Sequence, residues 1–462
     1  MTKSVPQPNL VEGPLFKRML LFILPLLLTN LLQMLYNAAD MIVVGMSDVS
    51  GAIGSIGTTG AMINLILNTF IGFSVGANVV VARHIGAGDA EETSKAVHTS
   101  LVVGAVFGFI GGALGFAVCR PMLILLGDEG SVLELATLYS RIYFAGAPFI
   151  SLTNFFIAIF RAKGDSKTPL IVLSLSGLTN VGLNLFFVLV CHMSVDGVSL
   201  ATVLSNILSA VILYAILSKD EGWCRVSWKK LRVHWHAFRN ILYVGIPAGL
   251  QGALFSISNM LIQSSVTGIN NRLYPGGSAI IDGNAAAGNL EGFAYTATNS
   301  VYQGAVTFTS QTYGAGKIRR IGKVMKNSYL ITFLIAALCS TIILGFQDFL
   351  IGLYVDEAPA VEAARLRCEI MMCLYFTLAF MEVGSGILRG LGRSLTSTIV
   401  SLMGACVFRV VWIIFVFPAY PTLECIYWSY PISWILTSAA SFTCGQIVWR
   451  KELRKAALSE TM

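Results

Sequence analysis

Apolar runs long enough to cross a bilayer recur along the whole chain, and they limit its fold more than any other feature. Leu20 to Leu35, Leu101 to Ala117, Val203 to Leu217 and Leu330 to Phe346 each approach the roughly 20 residues that an α-helix needs to span the hydrocarbon core. Soluble core helices are seldom apolar on every face for so long. Of the 462 residues 55% are hydrophobic and 12% charged, with a mean hydropathy of +0.73; a soluble domain carries about 25% charged residues. The sequence therefore predicts an all-α integral membrane protein of about twelve transmembrane helices, near 18–44, 54–82, 97–118, 134–160, 169–191, 197–217, 240–266, 279–311, 327–346, 364–388, 396–417 and 425–448.

The net charge of +7 does not point to nucleic acid, because Lys and Arg form short clusters between apolar runs and no continuous basic face. Topology accounts for them. The runs 161–167, 219–239 and 317–326 and the tail 450–455 fall on one side and, with Lys3, Lys17, Arg18, Arg83, Lys95, Arg389 and Arg393, place 25 of the 31 Lys and Arg residues there; Arg120, Arg141, Arg272, Arg365, Arg367 and Arg409 lie on the other side or within later spans. The positive-inside rule then predicts a multi-pass protein of the cell membrane with both termini cytoplasmic. The nine cysteines contain no CxxC pair, and Cys119, Cys339, Cys406 and Cys444 lie in or beside apolar stretches, as free thiols packing as small apolar groups do. No disulfide is expected. Residues 1–17 lack a small-residue cleavage site, so the first apolar segment reads as a retained helix.

The two halves repeat. Arg83-His84-Ile85-Gly86-Ala87-Gly88-Asp89 after the second span matches Gln311-Thr312-Tyr313-Gly314-Ala315-Gly316-Lys317 after the eighth, at an offset of 228. Arg161-Ala162-Lys163-Gly164-Asp165-Ser166 and Arg389-Gly390-Leu391-Gly392-Arg393-Ser394 share that offset. The opening spans align through Pro25 and Pro247 at 222, so about six extra residues enter the second half, within 270–278. Six spans per half give both halves one orientation and a pseudo-two-fold axis along the membrane normal, as in transporters built from parallel repeats. The expected organisation is an N-terminal six-helix lobe, 1–218, a basic cytoplasmic linker, 219–239, and a C-terminal lobe, 240–462.

On these residues the chain resembles the multidrug and toxic compound extrusion (MATE) family of antiporters over essentially its whole length. The most specific parts are the pattern from Pro25 through Asp40 to Gly45, the Gly-Ala-Gly loops at 86–88 and 314–316, and the stretch 161–169. The resemblance implies a V-shaped pair of six-helix lobes that rock between inward and outward openings. It also implies export of amphipathic, often cationic, small organic compounds against inward movement of Na⁺ or H⁺.

Asp40 is the strongest single candidate, since an acid within a span costs roughly 2.5 to 3.5 kcal/mol on insertion scales and persists where it meets a partner, an ion or water. Asn180 and Asn184, at i and i+4 on the fifth span, project from one helix face, and Thr202 on the sixth adds a hydroxyl. Such an all-oxygen set suits a small hard cation, or hydrogen-bonds a protonatable carboxyl. The family resemblance implies a cation-coupling site at these four positions, although related members hold a second acid where this chain has Asn184. The alternative is that Asp40 snorkels to the interface while the asparagines bridge helices. Against that, the repeat carries Asp40, Asn180 and Asn184 to Ile262, Phe408 and Trp412, so the polar set belongs to one lobe.

Tyr36 and Asn37 are placed to orient or gate Asp40, with ordinary packing the equal alternative for Tyr36, and Gln33 to line a cavity. In the second half Glu291 is a candidate for a substrate cavity, and Glu382 either faces substrate or neutralises Arg409. Gln251, Asn259, Asn299 and Gln303 are neutral polar positions, and the seventh span carries no acid that would complete a second cation site.

Other motifs carry less. Gly72-Phe73-Ser74-Val75-Gly76 matches a nucleophile elbow but lies within a predicted span, and no histidine lies deep in a helix to serve it. His234-Trp235-His236 lacks further ligands, and no GxxxxGK[ST] phosphate loop is present. Neither an enzyme nor a bound cofactor is expected, beyond Na⁺ or H⁺ as coupling ion. The bilayer and small organic molecules are the expected partners, with one chain as the functional unit. The competing expectation is a flippase for a lipid-linked precursor, which would favour several cavity-lining Arg or Lys residues.

Overall fold

A computed structural model describes residues 10–45, 52–125 and 130–460, so the reading of residues 1–17 as free of a cleaved leader lies largely outside the described residues. Twelve helical passes run through the described residues. They are α1 (Leu15–Gly45), α2 (Ala52–Ala87), α3 (Ala90–Leu125), α4 (Gly130–Ala145 bent into Ala147–Lys163), α5 (Lys167–Leu185, ending in π-helical Phe186–Val190) and α6 (Val195–Ser218). The second series is α7 (Trp235–Leu273), α8 (Ala279–Gly314), α9 (Ile318–Gly345), α10 (Ala358–Cys373 bent into Tyr375–Gly390), α11 (Ser394–Ser401 continued through π-helical Leu402–Val407 to Trp412–Val416) and α12 (Leu423–Glu460). Eight of these helices, and the two bent pairs each taken as one span, are long and apolar enough to cross a membrane. The exceptions are α8 and α12. In α8 the cause is polarity: Asp282, Asn284, Asn289, Glu291, Asn299 and Gln303 interrupt its apolar face.

The repeat seen in sequence recurs in backbone geometry. Gly88, Gly164, Gly316 and Gly392 all have positive φ, between 69° and 91°, a region that Cβ disfavours and glycine enters freely. Each closes its helix with the same pair of bonds. At Gly88 its own N–H reaches Ile85 O and that of Asp89 reaches His84 O; at Gly316 the pair is Tyr313 O and Thr312 O. The bends coincide too. The α4 bend of 51° falls at Gly146 and the α10 bend of 53° at Leu374, again 228 apart. In α4, Pro148 has no N–H to continue the ladder across the break; at Leu374 the hydroxyl of Thr377 reaches back to the Leu374 carbonyl at 2.7 Å.

Packing divides the chain into two units, one built on Leu24–Ala253, the other on Gly13–Ile23 with Leu254 onward. The unit boundaries fall within helices, because α1 and α7 are continuous and their two ends pack in different units. In the first unit the start of α7 lies against α2, where a Cβ on Gly72 or Gly76 would strike the backbone at Gly249 or Ile241. The sequence Gly72 to Gly76 is thus plain helix with two close backbone approaches, and Ser74 bonds to Ile71 O at 2.8 Å. In the second unit Phe22 meets Phe308 edge to face, centroids 5.6 Å apart.

Lipid removes the hydrophobic drive between helices, so small residues and interhelical hydrogen bonds do the joining. Gly104, Gly108, Gly112 and Gly115 form a stripe on α3, where an added Cβ would come within 2.6 to 2.8 Å of Phe155, Pro148 or Phe144 of α4. Ser151 bonds across to Gly104 O at 2.8 Å, Ser199 to Tyr139 O at 2.8 Å and Ser209 to Ser176 at 2.7 Å. Large apolar side chains face outward instead, as Ile171, Leu175 and Leu178 do on α5. The connection after α6 is itself anchored in the first unit. Cys224 and Val226 are buried, Lys163 pairs with Asp220 at 2.6 Å, and Ser227 N–H reaches His98 Nε2 at 3.0 Å.

Candidate functional site

Four polar side chains from three helices of the first unit converge. Asn184 Nδ2 donates to Asp40 Oδ1 at 2.5 Å and lies 3.3 Å from Asn180 Oδ1, while Asn180 Nδ2 stands 3.5 Å from Thr202 Oγ1. The i,i+4 spacing on α5 stacks the two carboxamides on one face, and α1 brings the carboxylate to them. Thr202 donates its own proton to Val198 O at 3.0 Å, which leaves its lone pairs turned to the amides. Asn180 and Asn184 are buried and Asp40 and Thr202 half-buried. Both amide protons of Asn184 are committed, yet its buried Oδ1 has no hydrogen-bond partner. A buried acceptor without a donor is costly.

Tyr139 of α4 packs in the apolar cluster beside the site with Val43, Tyr143 and Val198, and the sequence offers no signal for it beyond a tyrosine in a span. Beside the site lies an apolar cluster that includes Val43, Ile63, Tyr143, Val188 and Val198, and the π-helical end of α5 begins two residues after Asn184. Such irregular turns are frequent at functional sites.

The other candidates of α1 divide. Tyr36 turns to α5, where its hydroxyl bonds to Ser174 O at 3.2 Å and its ring covers Gly177; this is a packing contact one turn from the acid. Gln33 and Asn37 are exposed, on the helix stripe that also carries Asp40. Gln251 is buried in the part of α7 that belongs to the first unit.

The second unit gathers its own polar residues. Arg367 of α10 clasps Glu291 of α8 through two bonds, Nε to Oε1 at 2.6 Å and Nη2 to Oε2 at 2.8 Å, the fork geometry that favours Arg for carboxylates. Its third donor reaches Asn284 Oδ1 at 2.6 Å, and Asn284 reaches Gln263 at 2.7 Å. Glu291 is therefore committed to an arginine. Arg409 of α11 donates to Ser433 at 2.9 Å and to Asn259 at 3.5 Å, and lies over the Tyr430 ring at 4.2 Å. Glu382 is also buried and lies two turns before Arg389 on the same face of α10; the Arg389 guanidinium bonds to Tyr302. Asn299 sits in a ladder along α8, 3.4 Å from the Tyr295 hydroxyl and 2.8 Å from Gln303. Sequence reasoning missed Arg367, which reads as one of a few arginines outside the basic clusters, because its partner lies 76 residues away.

Comparison with known proteins agrees with this architecture. The chain is 24% identical over 449 residues to a probable multidrug resistance protein, YoeA, of Bacillus subtilis, covering 95% of each chain. It is 25% identical over 392 residues to the probable multidrug resistance protein NorM of Thermotoga maritima, covering 84% of this chain and 82% of that one. Its fold matches a multidrug resistance MATE family transporter of the MOP superfamily, solved in an outward-facing conformation, with a TM-score of 0.88 at 20% identity over 98% of this chain and all of that one. The MatE family model matches residues 25–186 and 247–415, one segment in each half. The chain belongs to the MatE family, the multidrug and toxic compound extrusion family that its sequence resembles, and is a multi-pass membrane protein.

Proposed function

We propose that this protein is a cation-driven secondary exporter of small amphipathic, often cationic, organic compounds. The observation that carries the reading is the Asp40 carboxylate held by Asn184 beside Asn180 and Thr202. One negative charge and neutral oxygens form a set that binds Na⁺ through oxygen alone, or accepts a proton and keeps the neutral carboxyl hydrogen-bonded. The relatives named as multidrug resistance proteins support organic molecules as cargo.

Coupling then follows from differential affinity. A cation at Asp40 favours one exposure of the pathway and substrate favours the other, so neither is carried without shifting the population that serves its partner. The distribution of Lys and Arg supports a cytoplasmic location for both termini in the cell membrane. The internal repeat supports two lobes, 1–218 and 240–462, joined by a basic linker, 219–239, and working as a single chain without an enzymatic step.

The test is ethidium or norfloxacin efflux from proteoliposomes, driven separately by a Na⁺ and a pH gradient, for the native protein and Asp40→Asn. Efflux that follows one gradient and collapses in the variant supports the reading and names the ion. Absence of gradient-driven efflux from the native protein overturns it. One observation favours a second reading, a lipid-linked precursor flippase: the half-buried Arg367 and the buried Arg409 of the second unit are of the kind that would hold a pyrophosphate.

A further inference from the structure

The repeat superposes one site on another of opposite charge. An offset of 228 carries Ile63 to Glu291, Tyr139 to Arg367 and Thr202 to Tyr430, and the opening-span offset of 222 carries Asp40 to Ile262. The surroundings of the acid in the first unit thus correspond, in the second, to a cluster of Glu291, Arg367, Arg409 and Tyr430. Two guanidiniums there lie over the Tyr430 ring, Arg367 at 5.9 Å and Arg409 at 4.2 Å, with one carboxylate, held by Arg367.

Arg409 is the uncompensated member. Its residue exposure is 6%, and its hydrogen bonds go to the neutral oxygens of Ser433 and Asn259. Glu291 already gives both oxygens to Arg367, and among the described residues no carboxylate forms an ion pair with Arg409. Tyr430 at 4.2 Å and Trp434 at 5.9 Å add cation–π attraction, which is smaller than the penalty for taking an arginine out of water. A guanidinium buried in a membrane protein on those terms marks a functional site, and the group that completes it is an anion.

We propose that the second unit binds the anionic group, carboxylate or phosphate, of an amphipathic substrate at Arg409, with Tyr430 and Trp434 packing against its apolar body. This rests on the export reading and names a further substrate class for it: anionic aromatic compounds.

The test titrates the purified full-length protein calorimetrically with indomethacin, an aromatic carboxylic acid, and with its methyl ester, which keeps the shape and removes the charge. The native protein is expected to bind the acid at least tenfold more tightly. Arg409→Gln should shrink that preference below threefold, and Arg409→Lys should restore part of it. Equal affinity of the native protein for acid and ester overturns the proposal, and so does a preference that survives Arg409→Gln. The native comparison needs no variant to fold. Displacement of indomethacin by undecaprenyl pyrophosphate assigns the anion to a lipid-linked source; acid selectivity without displacement assigns it to soluble compounds. Intact gradient-driven ethidium efflux without acid selectivity sinks this inference alone, whereas loss of both sinks the export reading.

Discussion

Asn184 donates to the Asp40 carboxylate across 2.5 Å while its own buried carbonyl oxygen accepts no hydrogen bond. One amide thus restrains the acid and leaves an acceptor beside it. On the proposed coupling role that free oxygen would meet the bound cation, a contact comparable to a hydrogen bond to a charged group, worth about 1.5–3 kcal/mol, so Asn184→Ala should weaken the coupling cation by about ten- to a hundredfold. The check is the cation concentration that half-saturates ethidium efflux in proteoliposomes. An unchanged value would mean that Asn184 serves helix packing alone.

The α3 glycine stripe makes a prediction about folding. At Gly112 an added Cβ would meet the Phe144 carbonyl at 2.6 Å, and backbone cannot step aside as a flexible side chain can. Gly112→Val should therefore destabilise by about 1–3 kcal/mol or more, read as a lower melting temperature of the solubilised protein. Gly182→Ala is the control, because a Cβ there meets nothing within 4 Å. It should leave the melting temperature unchanged or slightly raise it, since Ala is the better helix former.

These cases show what the sequence could and could not reveal. The spans were legible because each apolar run is local, and the repeat because Gly88, Gly164, Gly316 and Gly392 occupy backbone turns that other residues resist. The convergence of Asp40 with Asn180, Asn184 and Thr202 was approachable, since two asparagines at i and i+4 share a helix face whatever the tertiary structure. The Glu291–Arg367 clasp was not, because it depends on how α8 and α10 pack. Tyr36 stayed open for the same reason: adjacency to Asp40 along α1 does not tell that its hydroxyl turns to Ser174.

That clasp should behave as a buried ion pair. The side chains of Arg367 and Glu291 are 12% and 14% exposed, so removing one partner strands the other charge at a cost of about 3–5 kcal/mol. Glu291→Gln should lower the melting temperature strongly. Adding Arg367→Met should recover most of the loss, because the stranded guanidinium is then gone. A double-mutant cycle on thermal unfolding measures the coupling; additive losses would show that the two residues act independently.

The connection between α6 and α7 gives a chemical readout of its own docking. Cys224 lies there fully buried, and burial pushes its thiol up to about 12. Because the thiolate is the reacting species, the group stays protonated and inert through the neutral range, and labelling becomes appreciable only as pH climbs toward that value. The exposed Cys191 should react with a maleimide at pH 7 while Cys224 does not. The Lys163–Asp220 bridge at 2.6 Å helps to hold this segment down, so Lys163→Ala should speed Cys224 labelling at least tenfold and leave Cys191 unaffected. If the rate does not move, the segment is held by Val226 and the His98–Ser227 bond instead, and His98→Ala becomes the variant that exposes the thiol.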